Sequence, residues 1–521
     1  MNQVLNIFRK DIRHHWKEIA ASLALLLGFM WMQLQEWAHS DVKAYDLGSI
    51  AIFGFLGQLV VPLVPISWMF LIVRAVQGES LVGDRQFWIT RPYDWKNLAA
   101  AKLLFILAFI SLPLFIADIF LLAKAGFSPL SYVGPLFWLQ LIWMLILFLP
   151  TAALAAVTRS IGQMLLALLF VVVFVIALSA LSEAISNSGF ANFSANVIFL
   201  LTIATVSAVL LQQYSLRKTG QSRLMLVGLA AAIALVLVAT PYRTLIAHEY
   251  PLATAASAPL HLTLLPPPPP SVGSTYNFGN NMPVHLSFSV SGLPKDSFVL
   301  LNGRIITLTN SRGAHWDSGW LASRMPVFPD QSSMSADFYM KNDEYDRLKS
   351  SPVHAHLLLA FTVFHDKDQN QLIVPSGEFF LPGYGFCSAS PRSWAAASCR
   401  VPLRIADYLV LTEEMAKSTC PLGKNETPAN PGDMARQFLE NEGPVEPGIS
   451  PVGIKQVILY DWTHSDRRIP GVCPGTPLTV SYPEETGHTR IELDFDNLPL
   501  PDRRPGSDSP GFFGSAIILG H

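Results

Sequence analysis

The sequence predicts a membrane-spanning α-helical bundle of six or seven spans, followed by a mostly β extracytoplasmic domain with a sandwich as its candidate architecture. Three observations support this fold class. The first half of the 521 residues is largely apolar, the second half is rich in proline and turn residues, and all four cysteines lie in the second half. Only 14% of the residues are charged, whereas about 25% is typical of soluble proteins. The net charge of −2 and the lack of a basic face predict no nucleic-acid partner.

Seven apolar runs approach the roughly 20 residues that a helix needs to cross a bilayer. The last run is short, so six spans remain the alternative. Ionisable residues are almost absent from the runs, which argues against a proton-coupled carrier. The seven runs are 19–34, 50–73, 99–123, 133–157, 164–181, 195–211 and 224–239.

The first 17 residues mix apolar and basic side chains. Leu5, Phe8, Ile12 and Trp16 share one helical face, which predicts a cytoplasmic amphipathic helix lying along the membrane surface. Five consecutive prolines mark a stiff linker after the last span. The predicted segments are therefore an interfacial helix at 1–17, a transmembrane domain at 18–241, a proline-rich linker at 242–275 and an extracytoplasmic β-rich domain at 276–521.

Lysine and arginine in the short loops predict the orientation, because they concentrate on the cytoplasmic side of membranes. The distribution places the N-terminus and the loop at 74–98 in the cytoplasm. With seven spans, everything after about Tyr242 is outside. The residues that carry this argument are Arg9, Lys10, Arg13, Lys17, Arg74, Arg85, Arg91, Lys96, Arg159, Arg217, Lys218 and Arg223.

The second half alternates apolar and polar residues as strands do, for example at 284–290 and 356–364. Asn302-Gly303 predicts a hairpin turn between two strands. Short helices are expected at 413–417 and 431–441. These patterns predict the β-rich architecture.

The four cysteines predict two disulfides and therefore an oxidising compartment. Sequence order favours Cys387 with Cys399 and Cys420 with Cys473, although four cysteines allow three pairings. Buried free thiols are the alternative.

Motifs for catalysis and metal binding are absent from the sequence. There is no Walker A sequence, so the chain is not expected to hydrolyse ATP by itself, and no Gly-x-Ser-x-Gly hydrolase motif occurs. His354 and His356 fall on one face of a strand without an evident third ligand, and no Cys-x-x-Cys spacing occurs. We predict neither an enzyme nor a metal site in this chain.

The segment at 83–96 separates the second and third apolar runs and is too charged to cross a bilayer. Proline disfavours the α conformation in the residue before it, so Arg91-Pro92 predicts a helix boundary. Asp94 is placed to cap a new helix that runs through Lys96 and Lys102. The segment is therefore expected to hold a short interfacial helix, a break and a return into the membrane.

Glu79, the run Phe87-Trp88-Ile89-Thr90-Arg91-Pro92 and the later Lys102-Leu103-Leu104 resemble the loop after the second span of ABC-2 type transporter permeases. The resemblance covers about residues 1–240. It implies a coupling helix that docks on a separate ABC ATPase subunit, which binds ATP and Mg, and a dimer of permease subunits in the plasma (inner) membrane. The implied ATPase-coupling residues are Glu79, Asp84, Arg85, Phe87, Trp88, Arg91, Pro92 and Trp95.

Two functions are consistent with these features. The first is the permease subunit of an ABC-type exporter, which couples ATP hydrolysis by its partner to transport or to movement of its outer domain. The alternative is a non-transporting membrane anchor that presents an extracytoplasmic ligand- or protein-binding domain. The sequence leaves lipid, peptide and drug open as substrates.

Overall fold

A computed structural model describes the chain at residues 2–40, 47–78, 94–185, 192–239, 242–253, 260–266, 281–389, 396–420, 430–441, 449–459 and 472–500. The chain divides into two compact units. Unit 1 consists of residues 1–178, 192–239 and 369–482. Unit 2 consists of residues 179–191, 240–368 and 483–521.

Seven helical stretches among the described residues are long and apolar enough to cross a membrane. Each predicted apolar run overlaps one of them, and together they indicate a membrane protein. The helices are α1 (Asn2–His14), α2 (Trp16–Ser40), α3 (Leu47–Gln77), α4 (Trp95–Ile106), α5 (Leu112–Lys124), α6 (Val133–Trp143), α7 (Leu149–Val157), α8 (Ile161–Ile185), α9 (Asn192–Ser215), α10 (Thr219–Ala239), α11 (Tyr242–Glu249) and α12 (Asn342–Lys349).

Short π-helical turns join α4 to α5 and α6 to α7, so each pair forms one long helical stretch. The turns cover Leu107–Ser111 and Met144–Phe148. Each is followed two residues later by a proline, Pro113 or Pro150. Proline has no N–H for the usual helical hydrogen bond, and its ring clashes with the carbonyl four residues earlier. A π turn at that carbonyl relieves the clash and lets the helix continue.

The β region contains fourteen strands among the described residues. Most are antiparallel to their neighbours, as alternating patterns favour. The strands are β1 (His261–Leu264), β2 (Asn281–Ser291), β3 (Ser297–Asn310), β4 (His315–Asp317), β5 (Leu321–Val327), β6 (Ser333–Lys341), β7 (Val353–Ile373), β8 (Glu378–Leu381), β9 (Gly385–Ala389), β10 (Ala396–Pro402), β11 (Tyr408–Glu414), β12 (Met434–Glu440), β13 (Val452–Ile458) and β14 (Pro477–Leu498).

In unit 1 the strands form a four-stranded sheet in the order β13-β10-β9-β8 and a second group in the order β12-β11-β14. Their inward residues, including Phe379, Leu411 and Val480, form one apolar core. Ile449 and Val452 belong instead to the core of the helices. Unit 1 therefore packs part of its β region directly on its helices.

In unit 2 the strands form a three-stranded sheet, β1-β2-β6, and a group in the order β14-β7-β3-β4, with β5 beside β3. The long pairing of β3 with β7 runs antiparallel from Ser297↔His365 to Asn310↔Val353. Phe288, Phe338 and other inward side chains of both sheets share one buried core.

The predicted hairpin turn at Asn302-Gly303 is wrong. Both residues lie inside β3, where the register with β7 shifts between Leu301 and Gly303. A Cβ atom on Gly303 would overlap the indole ring of Trp320. Glycine therefore occupies this position because the strand has a bulge here and because the Trp320 side chain approaches the backbone closely. Both are known reasons for glycine within a strand.

The predicted helix at 431–441 is also wrong, because Met434–Glu440 forms β12 and pairs with all of β11. The predicted helix at 413–417 is correct only for its last turn, since Tyr408–Glu414 is a strand and Met415–Lys417 a 3₁₀ helix. In both places a neighbouring strand offers a complete hydrogen-bonded partner, which overrides local propensity.

Both predicted disulfides are present, Cys387–Cys399 and Cys420–Cys473, and no free cysteine occurs. Cys387 and Cys399 face each other directly across β9 and β10. Disulfides persist in oxidising compartments, so they indicate that this part of the chain is extracytoplasmic.

We expect the denatured, unreduced protein to bind no thiol reagent, and the reduced protein to bind it at four sites, because the described disulfides include all four cysteines. Mass spectrometry after alkylation measures both numbers. Reagent bound at any cysteine before reduction would contradict the disulfide assignment. Replacing Cys420 and Cys473 together by serine should cost about 2–4 kcal/mol of stability.

Candidate functional site around the N-terminal helix

The segment between α3 and α4 contains most of the predicted coupling residues. Trp95 is the first residue of α4. The role of these residues in docking an ATPase stays a prediction, and the described residues include the two flanks of the segment. Outside the described residues lie Glu79, Asp84, Arg85, Phe87, Trp88, Arg91 and Pro92.

The flank on the C-terminal side begins with the predicted helix cap. The Asp94 side chain accepts a hydrogen bond from the backbone N–H of Lys96 at 3.4 Å, which satisfies one of the free N–H groups of the first turn. Trp95 is half-buried against the helical core. The Lys96 ammonium lies 5.8 Å from the centre of its ring. This flank is therefore anchored at its first residue.

α1 packs along α4 through polar and aromatic contacts. Asn97 donates a hydrogen bond to the Gln3 side chain at 2.9 Å. The rings of Phe8 and Phe109, in the π turn after α4, stack at 5.9 Å. The strongest contact is an ion pair between Lys102 Nζ and Asp11 Oδ2 at 2.7 Å, in which both side chains are about 95% buried. Such a pair resists separation, because parting the charges leaves each one desolvated and alone.

The flank on the N-terminal side, the end of α3, contacts the junction between α1 and α2. Arg74 Nε lies 3.6 Å from Glu18 Oε1, and Gln77 donates to the Thr158 hydroxyl at 3.0 Å. The chain that precedes the coupling segment and the chain that follows it are thus both bonded to the N-terminal 18 residues.

His15 lies at the centre of this arrangement and is 2% exposed. Its ring meets the Phe105 ring edge-on at 6.3 Å. Burial lowers the pKa of His15, and His14 and Arg74 lower it further, against the opposing charges of Glu18 and Asp11. The imidazole is therefore neutral near pH 7, when a charged ring would be costly to bury.

α1 is the predicted amphipathic helix, but one face of it is covered by protein. Ile7 and Asp11 are buried against the helical core. Leu5 and Trp16, from the predicted membrane-facing stripe, are 38% and 58% exposed. Leu5 and Trp16 keep exposed apolar surface at the two ends of the predicted stripe, whereas Phe8 packs on the helical core. The membrane contact itself stays a prediction.

Sequence reasoning missed a buried carboxylate in the third apolar stretch. Asp118 is fully buried and accepts a hydrogen bond from Gln140 at 3.3 Å. Its other oxygen and the Gln140 carbonyl oxygen have no hydrogen-bond partner among the described residues. The sequence did contain a sign of this carboxylate, because one Asp lies inside the run 99–123. Its burial weakens the argument that scarce ionisable residues exclude a proton-coupled carrier. A carboxylate in such a helix can hold a proton or receive a polar group.

The strand histidines of unit 2 do share a face, as predicted. His354 Nδ1 lies 2.9 Å from Asp496 Oδ1, and His356 Nδ1 lies 2.8 Å from Asp494 Oδ1. Within the described part of the chain, no group of three or more His, Cys, Asp or Glu side chains is arranged to hold a metal ion. The two His–Asp pairs are exposed on the sheet. Exposed pairs of this kind contribute little to stability individually.

The sequence matches no protein-family model, and no curated protein matches it. Among solved structures it is similar to a crystal structure of red sea bream transglutaminase, at 11% identity and a TM-score of 0.12. That similarity covers 39% of this chain and 31% of the other. The chain thus spans about a third of that protein's length, and the likeness carries no argument about fold or activity.

Proposed function

We propose that this chain is the membrane-spanning permease subunit of an ABC-type exporter, similar to ABC-2 permeases, with a large β region added. The observation that carries the proposal is that the N-terminal 18 residues contact both sides of the coupling segment, through Glu18 of α2 and Arg74 on one side and through Asp11 of α1 and Lys102 on the other. A push on that segment would move α1, α2, α3 and α4 together, because the Asp11–Lys102 pair is buried and charged and Arg74 of α3 pairs with Glu18 of α2.

The proposed topology has the N-terminus and the coupling segment in the cytoplasm. Seven crossings place the β region outside, where its disulfides persist. Within unit 1, the Phe386 ring of β9 packs on Phe127, after the third apolar stretch, at 5.2 Å. In this topology the third stretch ends outside, so the contact is consistent with an external β region.

The partner is an ABC ATPase that binds ATP and Mg, and two permease subunits form the membrane pathway. Closure of the ATPase pair on ATP tilts the spans between inward-open and outward-open states, as rigid-body transitions in other proteins do. Arg91 pairs with an acidic groove on the ATPase, and Trp88 anchors the coupling helix. The plasma (inner) membrane is the proposed location.

Purification in a mild detergent through a tag on His521 is expected to recover a stoichiometric ATPase subunit, identified by mass spectrometry. Arg91→Glu should reduce its recovery about tenfold or more, since reversing a charge at a docking site repels the partner. The matched control is Arg312→Glu, an exposed arginine in a turn of the β region.

If Arg91→Glu, Arg312→Glu and the unaltered chain all recover the ATPase equally, Arg91 has no role in coupling. If the intact protein brings no ATPase at all, the permease proposal fails. The chain would then be a non-transporting anchor that presents its β region to a ligand or protein.

A further inference from the structure

A cavity of about 280 Å³ lies in unit 1 between the turn that follows α5 and the loops of the four-stranded sheet. One wall is helical and the other is formed by strand ends and the loop after β10. The cavity is near the lower end of the size of ligand sites, about 300 Å³. The residues that line it are Phe127, Ser131, Tyr132, Phe380, Gly383, Tyr384, Gly385, Pro402, Arg404, Ile405 and Ala406.

The sheet wall of the cavity is held by one backbone–backbone hydrogen bond and one bond from a side chain to the backbone. Ala406 N–H donates to the Gly383 carbonyl at 2.6 Å, and the Tyr482 hydroxyl donates to the Pro382 carbonyl at 2.9 Å. Gly383 has a φ of +70° and lies close to both Tyr482 and Ala406, so a side chain there would be strained and crowded. The loops over the cavity are therefore held in place by the Ala406–Gly383 hydrogen bond and by the Tyr482 side chain.

Aromatic contacts join the sheet wall to the helical wall. The Phe386 ring lies 5.2 Å from the Phe127 ring and 5.1 Å from the Phe380 ring. Gly126 has a φ of +93°, and a Cβ there would lie 3.1 Å from the Phe386 ring. Glycine thus allows both the turn after α5 and the close approach of Phe386.

The polar groups of the cavity favour an anion. Arg404 is exposed and has no ion pair or side-chain hydrogen bond among the described residues. No lining residue is acidic. Ser131, Tyr132 and Tyr384 add hydroxyl donors, and burial raises the pKa of Tyr384, which keeps its hydroxyl protonated. Arginine's planar fork of donors matches phosphate and carboxylate geometry.

The apolar surroundings favour an anion that carries hydrocarbon. Phe380 is 50% exposed, and beside the helical wall Leu130 and Val133 are 85% and 37% exposed. Leu130 and Val133 lie where two helical stretches long enough to cross a membrane meet at their connecting turn. Aromatic rings beside cationic groups are typical of the headgroup level of a bilayer.

We propose that this cavity binds the phosphate diester headgroup of a membrane phospholipid, with Arg404 on the phosphate and the acyl chains over Leu130 and Val133. The inference rests on the chain being inserted in a membrane and is independent of ATPase coupling. A cationic ligand would be repelled by Arg404, and a free phosphate would leave the aromatic lining unused.

The test is native mass spectrometry of the full-length chain in detergent, titrated with dioleoyl phosphatidylglycerol. Arg404→Gln is expected to weaken binding about tenfold, the value of a lost charge-assisted hydrogen bond. Arg312→Gln is the matched control, because Arg312 is also an exposed arginine. It should bind the lipid as the unaltered chain does. Unchanged melting temperatures show that both variants are folded.

Two further probes separate the parts of the ligand. Dioleoylglycerol has the same chains without phosphate, and its weaker binding should not respond to Arg404→Gln. Glycerol 3-phosphate has phosphate without chains and should bind at least tenfold more weakly than the lipid. The proposal is overturned if Arg404→Gln binds phosphatidylglycerol as tightly as Arg312→Gln. It is also overturned if glycerol 3-phosphate binds as tightly as the lipid, which would assign the cavity to a soluble phosphate.

Discussion

Replacing Lys102 by methionine is expected to destabilise the helical bundle by about 3–5 kcal/mol, the usual effect of removing one partner of a buried ion pair. Methionine fills a similar volume but leaves the Asp11 carboxylate without its 2.7 Å partner in a site where Asp11 is 3% exposed. The midpoint of thermal unfolding in detergent measures the effect. We also expect α1 to detach from α4 first, because this pair is their central contact.

The double variant Asp11→Leu with Lys102→Met separates the lost pair from the lost packing. Exchange of a whole buried pair for apolar residues is often neutral or stabilising, so the double variant should recover most of the midpoint. Lys96→Met is the matched control on the same helix, because Lys96 is exposed. If Lys96→Met and Lys102→Met lower the unfolding midpoint equally, the buried pair contributes no more to stability than an exposed lysine does.

Glu413→Gln is expected to remove a pH dependence of the stability of unit 1. Glu413 in β11 is fully buried, and neither carboxylate oxygen has a hydrogen-bond partner among the described residues. Burial raises the pKa of Glu413 from 4.5 to about 7, and an interaction with Ser418 offsets only part of the rise. The folded chain therefore keeps a proton that the unfolded chain has already released.

The raised pKa fixes the sign of the effect. The stabilisation is complete below about pH 4.5 and is lost as the pH rises through about 7, where the buried group must ionise. The difference is about 3 kcal/mol, since one pKa unit corresponds to about 1.4 kcal/mol. Glu413→Gln should be more stable than the unaltered chain at pH 8 and similar to it at pH 4.

Thermal unfolding followed by circular dichroism at pH 4, 6 and 8 measures this dependence. Glu414→Gln is the control, because Glu414 is the next residue of the same strand and is ion-paired with Lys417 at 2.5 Å. Its pH profile should follow that of the unaltered chain. A Glu413→Gln profile that still falls between pH 4 and 8 by the same amount would contradict the assignment.

Patterns that are local in sequence were predictable. The seven apolar runs all lie in helices, because about twenty apolar residues satisfy their own backbone only as a helix. The pairing Cys387–Cys399 and Cys420–Cys473 followed from sequence order. The cap at Asp94 was predictable because its physics involves only the next few residues.

Features that depend on distant partners were not predictable. The local sequence at 431–441 favours a helix, but pairing with β11 makes this segment a strand. Asn302-Gly303 is a dipeptide that favours a hairpin turn, but packing against Trp320 and pairing with β7 hold it within a strand. The Lys102–Asp11 pair joins residues 91 positions apart, and no periodicity reports such a contact. The cavity of unit 1 is likewise lined by residues far apart in sequence, from 127 to 406.

The interleaving of the two units along the chain has a consequence for biosynthesis. Residues 369–482 of unit 1 are made between the two β segments of unit 2, 240–368 and 483–521. The seven apolar helices and all four cysteines are therefore synthesised while β7 still lacks residues 483–498 of its β14 neighbour. Unit 2 closes only when residues 483–498 emerge, after all of unit 1 has been made. Until then its unpaired strand edge is the part of the nascent protein most in need of protection from aggregation.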